Sequence, residues 1–315
     1  MIGNDVAHAA RLLEQGKLVA IPTETVYGLA GNALDINSIG EIYRVKNRPS
    51  FNPLILHVPN LETAQKYVTH FPKEALQLVR QFWPGSLSIL LPKSNIVPDV
   101  ITAGSSHVVL RVPNHPITLE LLNCINFPIA APSANISNTV SPTSPNHVNQ
   151  GIGHEINYIL DGGNCKIGIE STIVSIKNGK VQILREGGVS REDISRQTGL
   201  QISLSKQKTV QTPGQLKKHY ATQKPLYIVE SISEYIKENP TQNCSKLYYE
   251  ENDNHDVENI YYLSKNYDLS EIANQLFSIM RLADKDPTDC IIIEPIKLKG
   301  IGRAIDDRLK RAANN

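Results

Sequence analysis

Apolar residues recur along the first 200 positions in two rhythms, one of period 3.6 and one of period 2. Val6, Ala9, Ala10, Leu12 and Leu13 share a helical face, and Gly16 suits a left-handed cap at its end. A strand over 18–21 follows, closed by Pro22. Ser38 and Glu41 have capping-box spacing for a short helix running toward Lys46. A strand at 54–58 precedes helical stretches near 61–69 and 72–81, with further strands expected at 86–91, 107–112, 128–131 and 156–160. The clearest local signal is at 172–185, where two alternating β-rich runs flank Asn178-Gly179, a pair suited to a type I′ turn. Ser190 begins a helix-start pattern just beyond it. This half predicts an α/β domain, 1–200, built on a mixed sheet.

The rhythm breaks at 201–224, which carries five lysines (206, 208, 217, 218 and 224), no Asp or Glu, and a central Pro213-Gly214. It reads as a linker lying over a surface. A second, smaller unit of Rossmann-like βαβ type is predicted over 225–315. It has strands at 225–229 and 290–294, helices near 231–238 and 270–283, and a last helix from Ile305.

Composition narrows the class. The chain has 315 residues, of which 40% are hydrophobic, and 32 Lys+Arg balance 31 Asp+Glu for a net charge of +1. Disorder, collagen and coiled coil are excluded as the main state. A protein that coats nucleic acid needs a large cationic excess, so no strong direct nucleic-acid binding is expected. No run approaches the roughly 18 apolar residues of a membrane span, and the first residues read as a helix rather than a leader. Cys124, Cys165, Cys244 and Cys290 lack C-x-x-C spacing, so neither a zinc site nor a disulfide framework is indicated. Reduced core thiols in a cytoplasmic protein are the expectation.

Chemistry enters through the strand faces. In the strand at 107–112, Val108, Leu110 and Val112 fall on one side, and His107 and Arg111 on the other. Leu54, Leu56 and Val58 likewise oppose His57. Thr23 and Thr25, Lys46 and Arg48, and Ser133 and Asn135 are each two apart, so in extended chain each pair points one way. An apolar face under helices and an opposite face of cations, hydroxyls and amides suit a bound polyanion. A lone Lys-x-Arg is more often a solvated surface pair, and Pro132 to Asn135 can be a plain turn. Arg111 in an apolar strand is harder to dismiss, because a buried arginine needs a partner. No glycine-rich phosphate loop and no H-E-x-x-H is present.

Together the segments PTETVYGLAGNA (22–33), KNRPSFNPLILHV (46–58), FWPGSLSILL (82–91), LRVPNHP (110–116), PIAAPSANISNTVSPT (128–143), GIESTIV (168–174) and ILREGG (183–188) resemble the YrdC-type domain. PGQLKKHYATQKPL (213–226) and IGRAIDDRLKRAA (301–313) extend that resemblance to the long, two-domain form of the threonylcarbamoyl-AMP synthase family. The resemblance implies a YrdC-like twisted mixed sheet with an open basic concave face. It also implies synthesis of L-threonylcarbamoyl-adenylate from L-threonine, bicarbonate or CO₂, and ATP with Mg²⁺, releasing pyrophosphate, without a dedicated protein metal site. A tRNA threonylcarbamoyl transferase would then take the product.

By the same resemblance, Lys46, Arg48, Ser133 and Asn135 line the nucleotide site and carry catalysis, with Asn52, Ser141, Arg185 and, less well matched, His107 as further ATP contacts. Thr25, His57, Arg111, Ala131 (through its backbone) and Ser171 would hold threonine, and His219 and Tyr220 would belong to the linker lid. Lys46→Ala is expected to slow turnover and spare the fold. Two other readings compete: a non-catalytic module for tRNA or double-stranded RNA, and a hydrogenase-maturation relative. The near-zero charge weighs against the first, and the lack of paired cysteine spacing against the second. One conflict stands. An ideal two-residue turn at 178–179 puts Ser171 and Arg185 on opposite faces, which a bulge or a frayed end would reconcile.

Overall fold

The computed structural model describes residues 1–204, 219–251 and 258–314. Its strands are β1 (Ile2–Gly3), β2 (Val19–Ile21), β3 (Gly28–Asn32), β4 (Ile55–His57), β5 (Leu87–Pro92), β6 (His107–Arg111), β7 (Ile129–Ala130), β8 (Tyr158–Leu160), β9 (Thr172–Lys177), β10 (Lys180–Arg185), β11 (Ile202–Leu204), β12 (Leu226–Ile228), β13 (Cys244–Tyr248), β14 (Ile260–Tyr262) and β15 (Cys290–Ile293). The first eleven form one mixed sheet in the order β1-β8-β2-β3-β7-β4-β6-β5-β9-β10-β11. The last four form a parallel sheet, β12-β15-β13-β14. Two α/β units with a large mixed sheet and a smaller parallel one match the expected fold class. The large sheet continues through β11, past position 200, because Val181 to Ile183 pair with Ile202 to Leu204.

Alternation along the central strands sorts the faces as the sequence requires. Leu54, Leu56 and Val58, Leu87, Ile89 and Leu91, and Val108, Leu110 and Val112 all enter the main core. The helices Ile36–Lys46 and Lys73–Phe82 cover that side with Ile39, Ile42, Tyr43, Leu78 and Val79. On the opposite face Ile55, Leu90, Val109 and Ile173 form a small apolar floor. The polar residues of the same strands stand beside it.

Several elements differ from the sequence expectation. The Ile36–Lys46 helix is capped by Asp35, whose carboxylate accepts from the backbone N–H of Asn37 and Ser38. The Ser38 hydroxyl donates to that carboxylate (2.6 Å), while Glu41 pairs with Arg44. Asp35 lies three residues nearer the strand than the predicted cap. Helices at Pro116–Cys124 and Pro145–Ile152 and strands β1, β3, β13 and β14 fall where no element was expected. Of the four thiols, Cys124 is exposed rather than core. Among the described residues no helix is long and apolar enough to cross a membrane.

The two units share an apolar cluster in which Val26, Val140 and Ile169 of the large unit meet Ile272, Ala273, Leu276, Phe277 and Ile305 of the small one. The backbones approach closely at Gly168, with φ of 83°. A Cβ there would stand 2.5 Å from the carbonyl oxygens of Ala273 and Asn274, in the helix Leu269–Ala283. Gly168→Ala is therefore expected to destabilise the protein by about 1–3 kcal/mol, from left-handed strain plus overpacking. An unchanged urea midpoint would show that the units do not dock this closely.

Candidate active site

An open cavity of about 540 Å³, mouth included, lies on the polar face of the large sheet beneath the unit junction. Its wall brings together Thr25, Arg48, His57, Arg111, Ala131, Ser133, Ser171, Arg185, His219 and Tyr220, all named from the sequence.

Each group is set by its element. His57 and Arg111 are register partners on the adjacent parallel strands β4 and β6. The His57 Nδ1 is 3.3 Å from the Ile55 carbonyl. A carbonyl can only accept, so Nδ1 carries the proton and Nε2 is left as an acceptor. Burial, and then the Arg111 charge, hold this imidazole down to about 3. Arg111 itself donates from Nε to the Gly85 carbonyl (3.2 Å), and its Nη2 lies 2.7 Å from Glu24 Oε1. The angle there is too poor for a directional hydrogen bond, so this is an ion contact.

Thr25 sits in the loop before β3. Thr23 Oγ1 donates to the Val26 carbonyl (2.6 Å), which consumes its only proton. In the 2.8 Å contact between the two hydroxyls Thr25 must then be the donor. The Thr25 oxygen is left to accept.

Lys46 and Arg48 do not point together. Lys46 ends its helix, Asn47 adopts a left-handed conformation (φ 49°), and the turn sends the two cations apart. Lys46 is 1% exposed and donates to the Ser133 carbonyl and, at 2.6 Å, to the Asn135 carbonyl. Burial, and then the charge of Arg48, push its ammonium well below the usual lysine value. Lys46 thus clamps the loop that presents Ser133, from behind the cavity wall. Arg48 reaches the cavity with its guanidinium braced on the carbonyls of Asn52 (3.2 Å) and Pro53 (2.9 Å). Burial lowers it only to about 10, so it stays charged at neutral pH.

Ser133 and Asn135 also diverge, because the loop is not extended. The Asn135 amide donates to the carbonyls of Ile136 and Thr139 instead. Asn52 and Asn135 each keep a buried side-chain oxygen that no described residue satisfies, the kind of group that a ligand or water completes. His107 lies outside the cavity, in a separate concavity with His70 and Lys177. It lies four positions from Arg111 on one strand, and a strand rises about 3.3 Å per residue.

The hairpin conflict is resolved by a bulge. Ile183 pairs with Val174, but Arg185 pairs with Ile173, so Leu184 is the extra residue. Arg185 then donates to the Ser171 carbonyl (2.8 Å) and its hydroxyl (3.1 Å). Burial brings Arg185 to about 10, still a cation.

Two buried carboxylates went unnoticed in the sequence, of which Glu170 lines the cavity. Glu24 braces Arg111. Glu170, directly before Ser171, accepts from the Ser141 hydroxyl (2.7 Å) and from Arg308 Nε (3.0 Å). Burial alone would raise this carboxyl, but Arg308, then Arg185, the Ser141 bond and His219 bring it down to about 2. A lone Glu in the apolar run 167–174 was the available signal. Among the described residues no cluster of three or more His, Cys, Asp and Glu side chains could hold a metal ion. His219 and Tyr220 cover one side, with Tyr220 stacked on Phe277 at 5.2 Å. Residues 205–218, which include most of the expected cover, lie outside the described residues.

The buried imidazoles make stability pH-dependent. Burial holds His57 and His219 at about 3 and His147 at about 4, whereas the unfolded chain protonates near the ordinary 6.5. Below 6.5 the unfolded state binds more protons, so their full contribution above that pH is lost progressively on acidification. The urea midpoint is expected to fall steadily between pH 6.5 and 4, less steeply in His57→Gln. A flat midpoint over that window would contradict the burial of these rings.

A family profile described as telomere recombination matches residues 11–187. A second, described as the threonylcarbamoyl-AMP synthase C-terminal domain, matches residues 189–314. The threonylcarbamoyl-AMP synthase of Pyrococcus abyssi is 38% identical over 97% of this chain and 93% of its own length. That of Bacillus subtilis is 36% identical over 98% and 92%. The crystal structure of P. abyssi Sua5 complexed with L-threonine superposes with a TM-score of 0.91 at 37% identity, covering 99% of this chain and 97% of that one. A nucleotide- and phosphate-bound HypF, 23% identical with a TM-score of 0.53 over 58% of this chain, shares the fold alone. Matched nearly end to end, and in both of its units, this chain belongs to the threonylcarbamoyl-AMP synthase family.

Proposed function

We propose that the chain condenses L-threonine, bicarbonate or CO₂, and ATP into L-threonylcarbamoyl-adenylate and pyrophosphate. This is the first step of threonylcarbamoyl modification of the tRNA adenosine next to the anticodon, and a transferase would consume the adenylate. The observation that carries the reading is the convergence on one cavity of two cations, Arg48 and Arg185, with a corner made of Arg111, Thr25 and His57. The threonine complex of the P. abyssi relative supports it.

The residues divide the work. Thr25 Oγ1 and His57 Nε2 are acceptors, matched to the ammonium and hydroxyl of an amino acid. With its imidazole held near 3, His57 orients that ammonium rather than storing its proton. Arg111 offers cationic attraction to the carboxylate. Ammonium and bicarbonate give carbamate, water and a proton, and the carbamate oxygen then attacks the α-phosphorus as pyrophosphate leaves. No protein nucleophile is required, so catalysis is positioning and charge stabilisation. Arg48 and Arg185 face the growing negative charge. Magnesium arrives on the nucleotide phosphates, since such ions bind through substrate phosphates with one or two carboxylates at most, and Glu24 and Glu170 are already ion-paired.

Purified protein with ATP and Mg²⁺ should release pyrophosphate only when both L-threonine and bicarbonate are present. If neither addition changes the rate, the assignment fails, and salt-sensitive retention of tRNA would then favour the RNA-binding module.

A further inference from the structure

The last helix, Gly302–Ala313, belongs to the small unit, yet it sends one guanidinium against a residue of the cavity wall. Arg308 is fully buried. Its Nε donates to Glu170, its Nη1 donates to the Glu186 carbonyl (2.8 Å) and lies 3.1 Å from Asp307 Oδ2, and its guanidinium carbon stands 5.5 Å from the Tyr220 ring centre. Glu170 lines the cavity beside Ser171, the residue that Arg185 grips. Glu170 and Arg185 are both buried on the wall of one cavity, and the Arg185 charge acts on the Glu170 carboxyl. Without a stronger competitor they would pair, because charge-assisted bonds in a dry site outrank those to a neutral carbonyl.

We propose that Arg308 is a positioning residue: by occupying Glu170 it keeps Arg185 turned onto Ser171, on the cavity wall that would face the phosphates of a bound nucleotide. The small unit thereby sets the nucleotide affinity of the large one. The proposal rests on the reading that nucleotide binds at Arg185. It also explains why a residue remote in sequence, at the far end of the chain, is among the most deeply buried charges.

The test is a charge-cancelling pair of substitutions. Arg308→Met leaves Glu170 unpaired and should raise the KM for ATP by about tenfold or more, with kcat changed by less than about threefold, since removing one partner of a buried pair is far costlier than removing both. Adding Glu170→Gln removes the competitor, and the double variant should recover to within about threefold of wild type. Arg308→Lys keeps the charge beside Glu170 but gives up the separate reach to the Glu186 carbonyl, and its KM should lie between those of wild type and Arg308→Met. A double variant as impaired as the single one, or an unchanged KM in Arg308→Met, overturns the proposal. If Arg308→Met fails to fold, a loss in the double variant equal to the tenfold expectation does the same. Calorimetric titration of each variant with ATP reads the effect without turnover. Failure of the wild type to release pyrophosphate would therefore sink the functional reading while leaving this test intact.

Discussion

Arg48→Ala is expected to cut threonine- and bicarbonate-dependent pyrophosphate release by about 100-fold or more, the usual cost of removing one preorganised charge from a transition-state site. The guanidinium is held by two backbone carbonyls, so it does not have to be ordered when substrate arrives. It also keeps its charge despite burial. Arg48→Lys restores a cation but cannot brace on both carbonyls, and should recover only part of the rate. Steady-state kinetics on folded protein decide the matter: a loss under about threefold in Arg48→Ala would remove Arg48 from the chemistry.

Lys46→Ala is expected to fail differently. Its ammonium satisfies two carbonyls in the interior, and alanine would leave both unpaired beside a new void. The cost should be about 2–5 kcal/mol of stability, seen as a lowered urea midpoint, with activity lost through the displaced Ser133 loop. This revises the sequence-based expectation that the fold would survive untouched. Lys46→Met, which fills the space but donates nothing, should fall between wild type and Lys46→Ala. Wild-type stability in Lys46→Ala would mean that the side chain serves a ligand instead of the loop.

The comparison between chain and structure turns on a few such residues. Strand alternation correctly sorted His57 and Arg111 from their apolar neighbours, because period-2 geometry is local. The Asn178-Gly179 hairpin was equally legible, and its register conflict announced the bulge that the structure contains. Lys46 and Arg48 were misread as co-directed, since nothing in spacing alone reveals a left-handed residue between them. Asn47 was the clue, as asparagine tolerates that conformation. Strand β13 escaped notice because a mixed polar run such as Ser245 and Lys246 becomes a strand only when parallel neighbours accept it. Glu24, Glu170 and Arg308 were missed for a further reason. A buried charge declares itself in sequence only as an oddity, and its partner, up to 138 positions away, is set by tertiary contact.

The seam at Gly168 and the mixed cluster around Val26 have a practical corollary for anyone dissecting the chain. Cutting between the halves would strand a carboxylate without its counter-ion and wet a patch of valine and isoleucine. The amino-terminal fragment, despite containing most of the cavity wall, should emerge sticky and weak in its hold on nucleotide. Here modularity belongs to the two family profiles, not to the folded molecule.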